Sequence, residues 1–396
     1  MTILGIFLIN QIRTGGDRRY LELMEVLAER GNKVFIIMNT YLEFNPKHIT
    51  KIEIPVKYVR HRLPPASFLF KNAVKKYYKQ ILHETGSSSI DFIHIHGDVY
   101  LKSAIHLKKK IGCQFFYASR NNDIDRSKVV RNSGELNVKK YLFSLIIDVI
   151  ERYREKQIAK HAEVVTFQYP KDRDSFIKRT RANTDKTVII PGNIGLPRCT
   201  SEWKNKNKSD ALNNILCVGT TSITKGFLIL IRTLECLKKR GFGYLRFTLL
   251  GRLNDKKLLK KIKNSDVSEM IVFEGFKDPF PFLESSDLLL YPVLFDAYPD
   301  AVLEALHTGC PVLASEAGGL PDMLQYQELF FNQYNIDNIT DKIIKCVKDN
   351  LYYKRIRELC SKRVVVHHFN WEEKFELAMT DYLKKKYAST LSVKDK

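Results

Sequence analysis

The chain has 396 residues, of which 44% are hydrophobic and 11% aromatic, so its composition is that of folded globular proteins and excludes a disordered chain. At roughly 100 to 200 residues per domain, this length predicts two or three domains. Lys and Arg number 65 against 44 Asp and Glu, a formal net charge of +21. Such a surplus favours anionic partners: nucleic acid, acidic lipid headgroups or phosphorylated small molecules.

The cysteines and the apolar segments exclude further classes of protein. The seven cysteines include no CxxC pair, which argues against a zinc site or a disulfide framework and favours a reducing cytoplasm. The apolar start of the chain ends at Ile12 with no basic residue before it, so we interpret it as a β-strand and not a signal peptide. The best apolar run elsewhere, residues 141–150, is shorter than the roughly 20 residues of a membrane span. We expect a cytoplasmic protein that is soluble or peripheral to a membrane.

The first forty residues predict a strand, a helix and a second strand, as at the start of a parallel α/β sheet. Residues 3–10 are a continuous apolar run, typical of a strand buried on both faces. A loop with Gly15 and Gly16 follows, and apolar residues then recur at helical spacing over 21–28 before a second apolar strand at 33–38. Further strands are predicted at 90–95, 113–118, 164–167 and 187–190.

Residues 191–210 interrupt this alternation with Pro, Gly, Asn, Lys and Ser, which indicates an interdomain linker. The alternation then resumes with a helix at 226–240, and the chain is mostly helical in pattern from about residue 336. The predicted strands of this second part are 214–219, 244–251, 270–276, 288–294 and 311–315. The sequence therefore predicts two parallel α/β domains, a class that binds ligands at the carboxyl ends of its strands.

The strongest candidate site is the segment 291–306. Asp296 comes just beyond the carboxyl end of a predicted strand, Pro299 suits the first turn of a helix, and Glu304 lies inside that helix. A helix N-terminus binds anions, while carboxylates accept hydrogen bonds from sugar hydroxyls. From the spacing alone, Asp296 is equally well a turn residue and Glu304 a solvated helix residue.

The stretch FDAYPDAVLEALHTGCPVLASEAGGLPDML, residues 295–324, resembles the donor-site signature of GT4-type retaining glycosyltransferases. That family has two acidic residues with seven residues between them, then a strand and a Gly-Gly-x-Pro turn. Other segments agree in the same order: the Gly15–Gly16 loop, 189–191, VGTTSITKG at 218–226, LLGR at 249–252, FEGF at 273–276 and FNWEEKF at 369–375. The resemblance spans almost the whole chain. It implies the GT-B fold, with two Rossmann-like parallel-sheet domains facing across a cleft.

The resemblance also implies the roles of the site residues. Glu304 holds the ribose hydroxyls of a nucleotide sugar, Asp296 holds the hydroxyls of the transferred sugar, and Lys225 binds the diphosphate. Fixed positive groups of this kind stabilise the charge that grows on the leaving oxygens, and the family needs no metal or other cofactor. The implied donor-binding set is Gly15, Gly16, Thr220, Lys225, Arg252, Gly275, Phe276, Asp296, Pro299, Asp300, Ala301 and Glu304.

Two positions of this set depart from the family pattern. Thr220 stands where the family usually has Arg, so one of two cations for the diphosphate is missing, and Arg252 or Arg13 is the candidate substitute. Asp296 stands where Glu is commoner, so its carboxylate reaches about one methylene less far. These departures motivate an alternative: a non-catalytic GT-B subunit that binds a partner enzyme or an acceptor.

Two segments of the first domain are expected to line the same cleft. Ser119, Arg120 and Asn121 stand where many family members have a His, and Arg120 is expected to supply part of the missing positive charge. In DFIHIHGD, His96 resembles a catalytic cleft histidine of the family, whereas we expect His94 to face the other side of the sheet. The alternative is that both histidines are merely packed. No metal role is indicated, because no further ligands stand at fixed spacing.

The basic surplus concentrates at 71–82, 138–160 and 256–263. The first two segments mix Lys with Tyr, Leu and Ile in helical patterns, which is typical of a face that lies on an anionic membrane. The alternative is a solvated basic helix. Nucleic-acid binding is not expected, since no recognised DNA- or RNA-binding motif is present.

The resemblance thus implies an acceptor-binding domain at 1–195, a linker at 196–210 and a nucleotide-sugar domain at 211–370, with a last helix at 371–390 that packs on the first domain. The implied reaction moves a hexosyl group from a nucleotide diphosphate sugar to a hydroxyl of a glycan or lipid-linked acceptor, with retention of configuration. The resemblance implies that the process is surface polysaccharide or glycolipid synthesis, and we expect it at the inner face of the membrane. A further alternative is a sugar-nucleotide epimerase of the same fold.

Overall fold

The structure is a computed structural model, and it describes residues 1–12, 15–57, 64–86, 89–120, 122–134, 136–195, 202–203, 212–219, 222–252, 262 and 264–394. The chain divides into two compact units. The first comprises Met1–Asn122, Ile146–Pro191 and Asn370–Lys396, and the second comprises Asp123–Leu145 and Gly192–Phe369. The sequence does not predict that residues 123–145 group with the second unit.

The first unit is built on a parallel sheet whose seven described strands have the order β3-β2-β1-β4-β5-β6-β7. The strands are β1 Thr2–Phe7, β2 Lys33–Asn39, β3 Thr50–Ile54, β4 Phe92–His96, β5 Gln114–Ala118, β6 Val164–Phe167 and β7 Thr187–Ile189. β1 pairs with β2 on one side and with β4 on the other. Strand order therefore reverses between β1 and β4, and the loops that follow these two strands lie at a topological switch point.

Helices connect these strands. They are α1 Gly15–Glu29, α2 Pro64–Lys76, α3 Tyr78–Thr85, α4 Leu101–Ile111, α5 Asp123–Asn132, α6 Val138–His161 and α7 Pro170–Thr180. The helix α5 belongs to the second unit, and α6 passes from the second unit to the first after Leu145.

The second unit has a parallel sheet whose six described strands have the order β10-β9-β8-β11-β12-β13. The strands are β8 Asn214–Val218, β9 Arg246–Leu250, β10 Ile271–Gly275, β11 Leu288–Tyr291, β12 Val312–Ser315 and β13 Phe330–Phe331. The described helices are α8 Phe227–Lys239, α9 Phe280–Ser285, α10 Asp300–Thr308, α11 Leu320–Leu324, α12 Ile336–Lys348 and α13 Asn350–His367. β8 and β11 are neighbours, so the loops that follow them emerge together at a second switch point.

The last helix, α14 Trp371–Lys394, belongs to the first unit. The Phe375 ring lies 5.9 Å from the Phe116 ring of β5, and Tyr382 Oη donates to Gln114 Oε1 at 3.1 Å. Arg30 Nε at the end of α1 bonds to Glu376 Oε2 at 2.5 Å. The helix is thus held by aromatic packing and by an ion pair.

The two parallel α/β units confirm the predicted fold class. The predicted buried strands are all present, while β3 and β13 were not predicted. β3 is an edge strand in which the buried Ile52 and Ile54 alternate with more exposed residues. Its sequence has the same two-residue alternation of apolar and polar residues. β13 has two residues, too few for a pattern. None of the described helices has the length and apolar character needed to cross a bilayer.

Candidate active site

Two loops of the second unit approach closely at the switch point between β8 and β11. Leu294 N, after β11, donates to Thr224 O in the loop after β8 at 2.9 Å. Gly226 has φ 67°, and a Cβ at this position would lie 1.6 Å from Pro292 O. Glycine is therefore required here both by the left-handed backbone and by the close contact with the neighbouring loop.

The closely packed loops bring three polar side chains together. Lys225 Nζ forms an ion pair with Asp296 Oδ2 and donates to Tyr291 Oη at 3.0 Å. Tyr291 Oη donates to Asp296 Oδ2 at 2.8 Å. Tyr291 ends strand β11 and is buried, whereas the Lys225 and Asp296 side chains are 31% and 16% exposed. The network therefore has a rigid buried side and a side open to solvent.

The surroundings fix the protonation of this network. Burial opposes the charge of the Lys225 ammonium, but the Asp296 carboxylate and the Tyr291 hydroxyl outweigh burial and raise the pKa of Lys225. Burial and then the neighbouring Asp296 raise the pKa of Tyr291, so its hydroxyl stays protonated and donates. An ammonium has three N–H donors, of which Asp296 and Tyr291 take two, so one remains for a phosphate oxygen.

The Gly-Gly-x-Pro turn holds the backbone of Asp296. Gly318 has φ 59°, and a Cβ there would lie 1.7 Å from Asp296 O. Gly319 N donates to the same carbonyl oxygen at 3.0 Å. The two glycines thus let the turn pack directly on the peptide that positions the carboxylate.

The helix α10 begins next to this network. Pro299 has an extended backbone with ψ 127°, and the helix starts at Asp300, followed by the buried Ala301. The first N–H groups of a helix have no intrahelical acceptor and carry the positive end of the helix dipole, which suits an anion. Glu304, one turn later, is 3% exposed, so it is not the solvated helix residue of the alternative interpretation.

An exposed aromatic ring, that of Phe276, comes directly after strand β10. Phe276 follows β10 and is 71% exposed, and the Arg252 guanidinium lies 4.9 Å from its ring centroid. Gly275 has φ 75° and accepts a hydrogen bond from Gly251 N at 2.7 Å. An exposed ring next to a cation is a surface on which a planar base can stack. Thr220 of the predicted donor-binding set lies outside the described residues. So does Arg13, a candidate for the cation that the family usually has at position 220.

In the first unit, Arg120 is held over the start of α1. Arg120 Nη1 donates to the buried Asp17 Oδ1 at 2.9 Å. A Cβ on Gly16 would lie 1.9 Å from Arg120 Nη2, and one on Gly97 would lie 3.6 Å from Arg120 Cδ. Glycine at position 16 therefore makes room for the guanidinium, while Gly15 before it is exposed. The structure thus places the predicted Arg120 and Gly16 together and adds Asp17.

Arg120 is flanked in the sequence by Ser119 and Asn121, which were predicted to line the same cleft. Ser119 Oγ donates to the buried Asp172 Oδ2 at a long 3.5 Å, and Ser119 N donates to Thr166 O at 2.9 Å. Ser119 is thus tied to the strand and helix beside it. Asn121 lies outside the described residues.

The expectation that His94 and His96 face opposite sides of the sheet is wrong. Both rings contact Tyr20, with centroid distances of 5.4 Å for His94 and 5.6 Å for His96. The physical reason is that residues two apart in a strand point to the same face. Burial lowers the pKa of His96 well below its usual value, and the nearby Arg120 lowers it further, so the ring is neutral.

Tyr291 and Asp17 are site residues that the sequence reasoning missed. Each was visible as a polar residue at the carboxyl end of a strand or in the first turn of a helix at a switch point, which is where ligands bind. In the described part of the chain, Glu25, Glu29 and His48 have ligand atoms within 4.8 Å of one another, the spacing of a metal site. These side chains are partly or fully exposed and already bond to one another, so we assign no metal to them.

Residues 200–363 match the family model described as glycosyl transferases group 1. Among curated relatives, an uncharacterized glycosyltransferase of Methanocaldococcus jannaschii is 24% identical over 54% of this chain and 52% of its own length. The amylovoran biosynthesis glycosyltransferase AmsK of Erwinia amylovora is 29% identical over 31% of this chain and 33% of its own length. The chain thus matches about half or less of each relative.

Solved structures cover the chain more fully. Sucrose-phosphate synthase from Thermosynechococcus elongatus superposes with a TM-score of 0.74 and 17% identity, covering 98% of this chain and 100% of that one. Anabaena HepE in complex with UDP and glucose superposes with a TM-score of 0.65 and 14% identity, again covering 98% and 100%. At these identities the likeness shows the fold, which is the predicted GT-B fold.

Proposed function

We propose that this protein is a GT4-type glycosyltransferase that moves a hexosyl group from a nucleotide diphosphate sugar to a hydroxyl of a glycan or lipid-linked acceptor, with retention of configuration. The observation that carries the proposal is the bonded group Lys225, Tyr291 and Asp296 beside the start of α10, inside the stretch matched by the family model. The solved complex of HepE with UDP and glucose supports a nucleotide sugar as the donor.

In this proposal Lys225 and the N-terminus of α10 bind the diphosphate. When the glycosidic bond to the diphosphate breaks, negative charge grows on the leaving oxygens. The Lys225 ammonium is already fixed by Asp296 and Tyr291, so it needs no rearrangement to meet that charge. The N–H groups of Asp300 and Ala301 at the helix start act on the same charge. These groups supply the positive charge that a metal ion would otherwise provide.

The remaining donor contacts follow from the positions of the side chains. Asp296 keeps its second carboxylate oxygen for the hydroxyls of the transferred sugar, and Glu304 accepts from the ribose hydroxyls. Phe276 stacks on the base and Arg252 adds positive charge next to it. In the first unit, the neutral His96 and the fixed Arg120 are the proposed contacts to the acceptor.

We place the reaction in surface polysaccharide or glycolipid synthesis on the cytoplasmic side of a membrane. Relatives that support this include AmsK and the capsular polysaccharide biosynthesis glycosyltransferase CapH of Staphylococcus aureus. Of the basic segments, 71–82 forms parts of α2 and α3, and 138–160 lies in α6. Both are proposed to face anionic lipid. Most of segment 256–263 lies outside the described residues.

The test replaces the wild-type chain in cells with single variants and measures surface polysaccharide. Lys225→Met removes the fixed cation and is expected to lower production about 100-fold or more, since one lost transition-state donor costs that much. Lys362→Met is the matched control, because Lys362 also forms an ion pair in the second unit, with Glu358 at 2.7 Å, but on α13. Full production by Lys225→Met would instead support the non-catalytic GT-B subunit.

Product analysis with purified protein separates the enzyme from the epimerase alternative. A transferase releases a nucleoside diphosphate only as the sugar appears on an acceptor. An epimerase would return a changed nucleotide sugar with no acceptor present.

A further inference from the structure

Helix α6 presents a continuous apolar face to solvent. Seven large apolar side chains recur every three or four residues along its first sixteen residues, and each is between 40% and 74% exposed. They are Val138, Tyr141, Leu142, Leu145, Ile146, Val149 and Tyr153, and we call them the α6 apolar face. A pattern of this kind normally marks the side of a helix that is covered.

The opposite side of α6 is already occupied. Arg131 Nη1 of α5 donates to Ser144 Oγ at 3.3 Å, Arg154 bonds to Asp98, and Ile158 is 3% exposed. The helix is therefore held by its inner side and does not need the α6 apolar face for its packing.

The charges around the α6 apolar face are of one sign. Arg152 and Lys156 follow Val149 on the same side at helical spacing, and both are exposed. The acidic residues of α6 are neutralised or buried: Glu151 bonds to Arg154 at 2.6 Å, Glu155 bonds to Arg179 at 2.7 Å, and Asp148 is 7% exposed. The face thus combines apolar side chains with uncompensated positive charge.

Apolar side chains next to uncompensated positive charge favour one kind of binding partner for the α6 apolar face. A second copy of the chain would bring another set of arginines and lysines without a carboxylate to pair them, and the formal net charge of +21 would oppose that contact. An anionic bilayer offers acyl chains for the apolar residues and phosphates for the basic ones. The apolar stretch is about 24 Å long at 1.5 Å per residue, which suits a helix lying in the plane of the surface.

We infer that α6 docks the protein on anionic membranes, with the α6 apolar face among the acyl chains and Arg152 and Lys156 at the headgroups. This inference rests on the proposed function, since a membrane surface is where a lipid-linked acceptor is found. It deepens that proposal by naming the side chains of α6 that meet the membrane.

The test is flotation of the full chain with phosphatidylcholine vesicles that contain or lack phosphatidylglycerol. Wild type is expected to bind the anionic vesicles, about tenfold or more tightly than the neutral ones. The triple variant Leu142→Gln, Ile146→Gln and Val149→Gln is expected to lose tenfold or more of this binding. The matched control Leu351→Gln, Val365→Gln and Val366→Gln changes three equally exposed apolar side chains on α13 and should bind as wild type.

A second pair of variants tests the charges. Arg152→Gln with Lys156→Gln is expected to weaken binding to anionic vesicles about tenfold, while the exposed pair Lys384→Gln with Lys385→Gln should change it little. Equal binding to anionic and neutral vesicles, or an unchanged triple variant, would overturn the inference. So would a dimer in analytical ultracentrifugation that the triple variant dissociates.

Nucleotide-sugar binding is measured on the same variants to keep the two proposals apart. The triple variant should keep the thermal stabilisation by nucleotide that wild type shows. If wild type fails to bind vesicles while a nucleotide still stabilises it, the docking face is wrong and the donor site stands. If wild type binds anionic vesicles but no nucleotide stabilises it, the donor site is wrong and the docking face stands.

Discussion

The buried His94 makes the stability of the first unit depend on pH. Its side chain is fully buried between Tyr20 and Phe116, and neither ring nitrogen has a hydrogen-bond partner among the described residues. Burial lowers the pKa of His94 to about 3. An unfolded chain takes up this proton near pH 6.5, so the unfolded state binds more protons below that pH and the folded state loses stability as the pH falls from 6.5 towards 3.

His94→Phe keeps the size and the aromatic contacts of the side chain but cannot take up a proton. Between pH 8 and pH 5, protonation of the unfolded chain at His94 is expected to lower the free energy of unfolding of wild type by about 2 kcal/mol. The variant should not show this loss. Denaturant unfolding at both pH values measures this, with the exposed His83→Phe on α3 as the control. The same loss in His94→Phe as in wild type would contradict the assignment.

At this scale the sequence predicts which residue types lie at the site but not which side chains bond. The acidic pair and the glycine turn are local patterns, so Asp296 and Glu304 could be named from spacing and resemblance. The bond between Lys225 and Asp296 joins residues 71 positions apart, and only the packing of two loops brings them together. Tyr291 completes the network for the same reason, and the sequence shows only that a polar residue ends strand β11.

Single elements position the site through close backbone contacts, and the turn at Gly318 is the clearest example. Gly318→Ala introduces a Cβ at 1.7 Å from Asp296 O in a left-handed backbone. We expect a loss of about 2 kcal/mol or more in the stability of the second unit and weaker nucleotide binding, because the Asp296 peptide must move.

Gly241→Ala is the matched control for Gly318→Ala. Gly241 also has a positive φ, of 88°, but a Cβ there would meet nothing within 4 Å. This variant should lose only about 1 kcal/mol of stability, through backbone strain, and should keep nucleotide binding. Equal losses of stability and binding in both variants would show that the contact with Asp296 does not matter.

Strands could be predicted from the sequence where both faces of the sheet are buried. Strands such as β1 and β11 are apolar along most of their length, because burial on two sides disfavours polar residues between their ends. The edge strand β3 was missed because it is covered on one side only, so its apolar residues alternate with Lys51 and Glu53. Edge strands thus give weaker patterns for a physical reason.

At the scale of the whole molecule, the chain leaves the first unit and returns to it through α14. Trp371 is 3% exposed, its ring lies 5.4 Å from Phe375, and the Arg19 guanidinium lies 5.8 Å from the indole ring. These contacts lie within the first unit. Trp371→Ala is expected to destabilise that unit by about 3 to 5 kcal/mol.

Hydrogen exchange distinguishes this local effect from a general one. In Trp371→Ala the amides of β4 and β5 should lose protection, whereas those of β11 and β12 in the second unit should keep it. Equal loss of protection in both sheets would contradict the division into two units. The membership of residues 123–145 in the second unit was beyond the sequence, because helical periodicity shows which face of α5 is apolar but not what covers it.

The central claim is that the second unit binds a nucleotide diphosphate sugar at Lys225, Asp296 and Glu304. The most direct measurement is a thermal-shift screen of the purified chain against UDP, GDP, ADP and their sugars without added metal. A ligand at about 100 times its Kd stabilises the folded state by roughly 2.7 kcal/mol, which for a domain of this size raises Tm by about 5 °C or more.

We expect such a shift with one of the nucleotides. It should be lost in Glu304→Gln, which preserves the shape of the buried side chain, and kept in Glu328→Gln, which changes an exposed carboxylate of the same unit. A flat response of the folded wild-type chain to every nucleotide would contradict the donor site. A shift that Glu304→Gln leaves unchanged would place the bound nucleotide elsewhere.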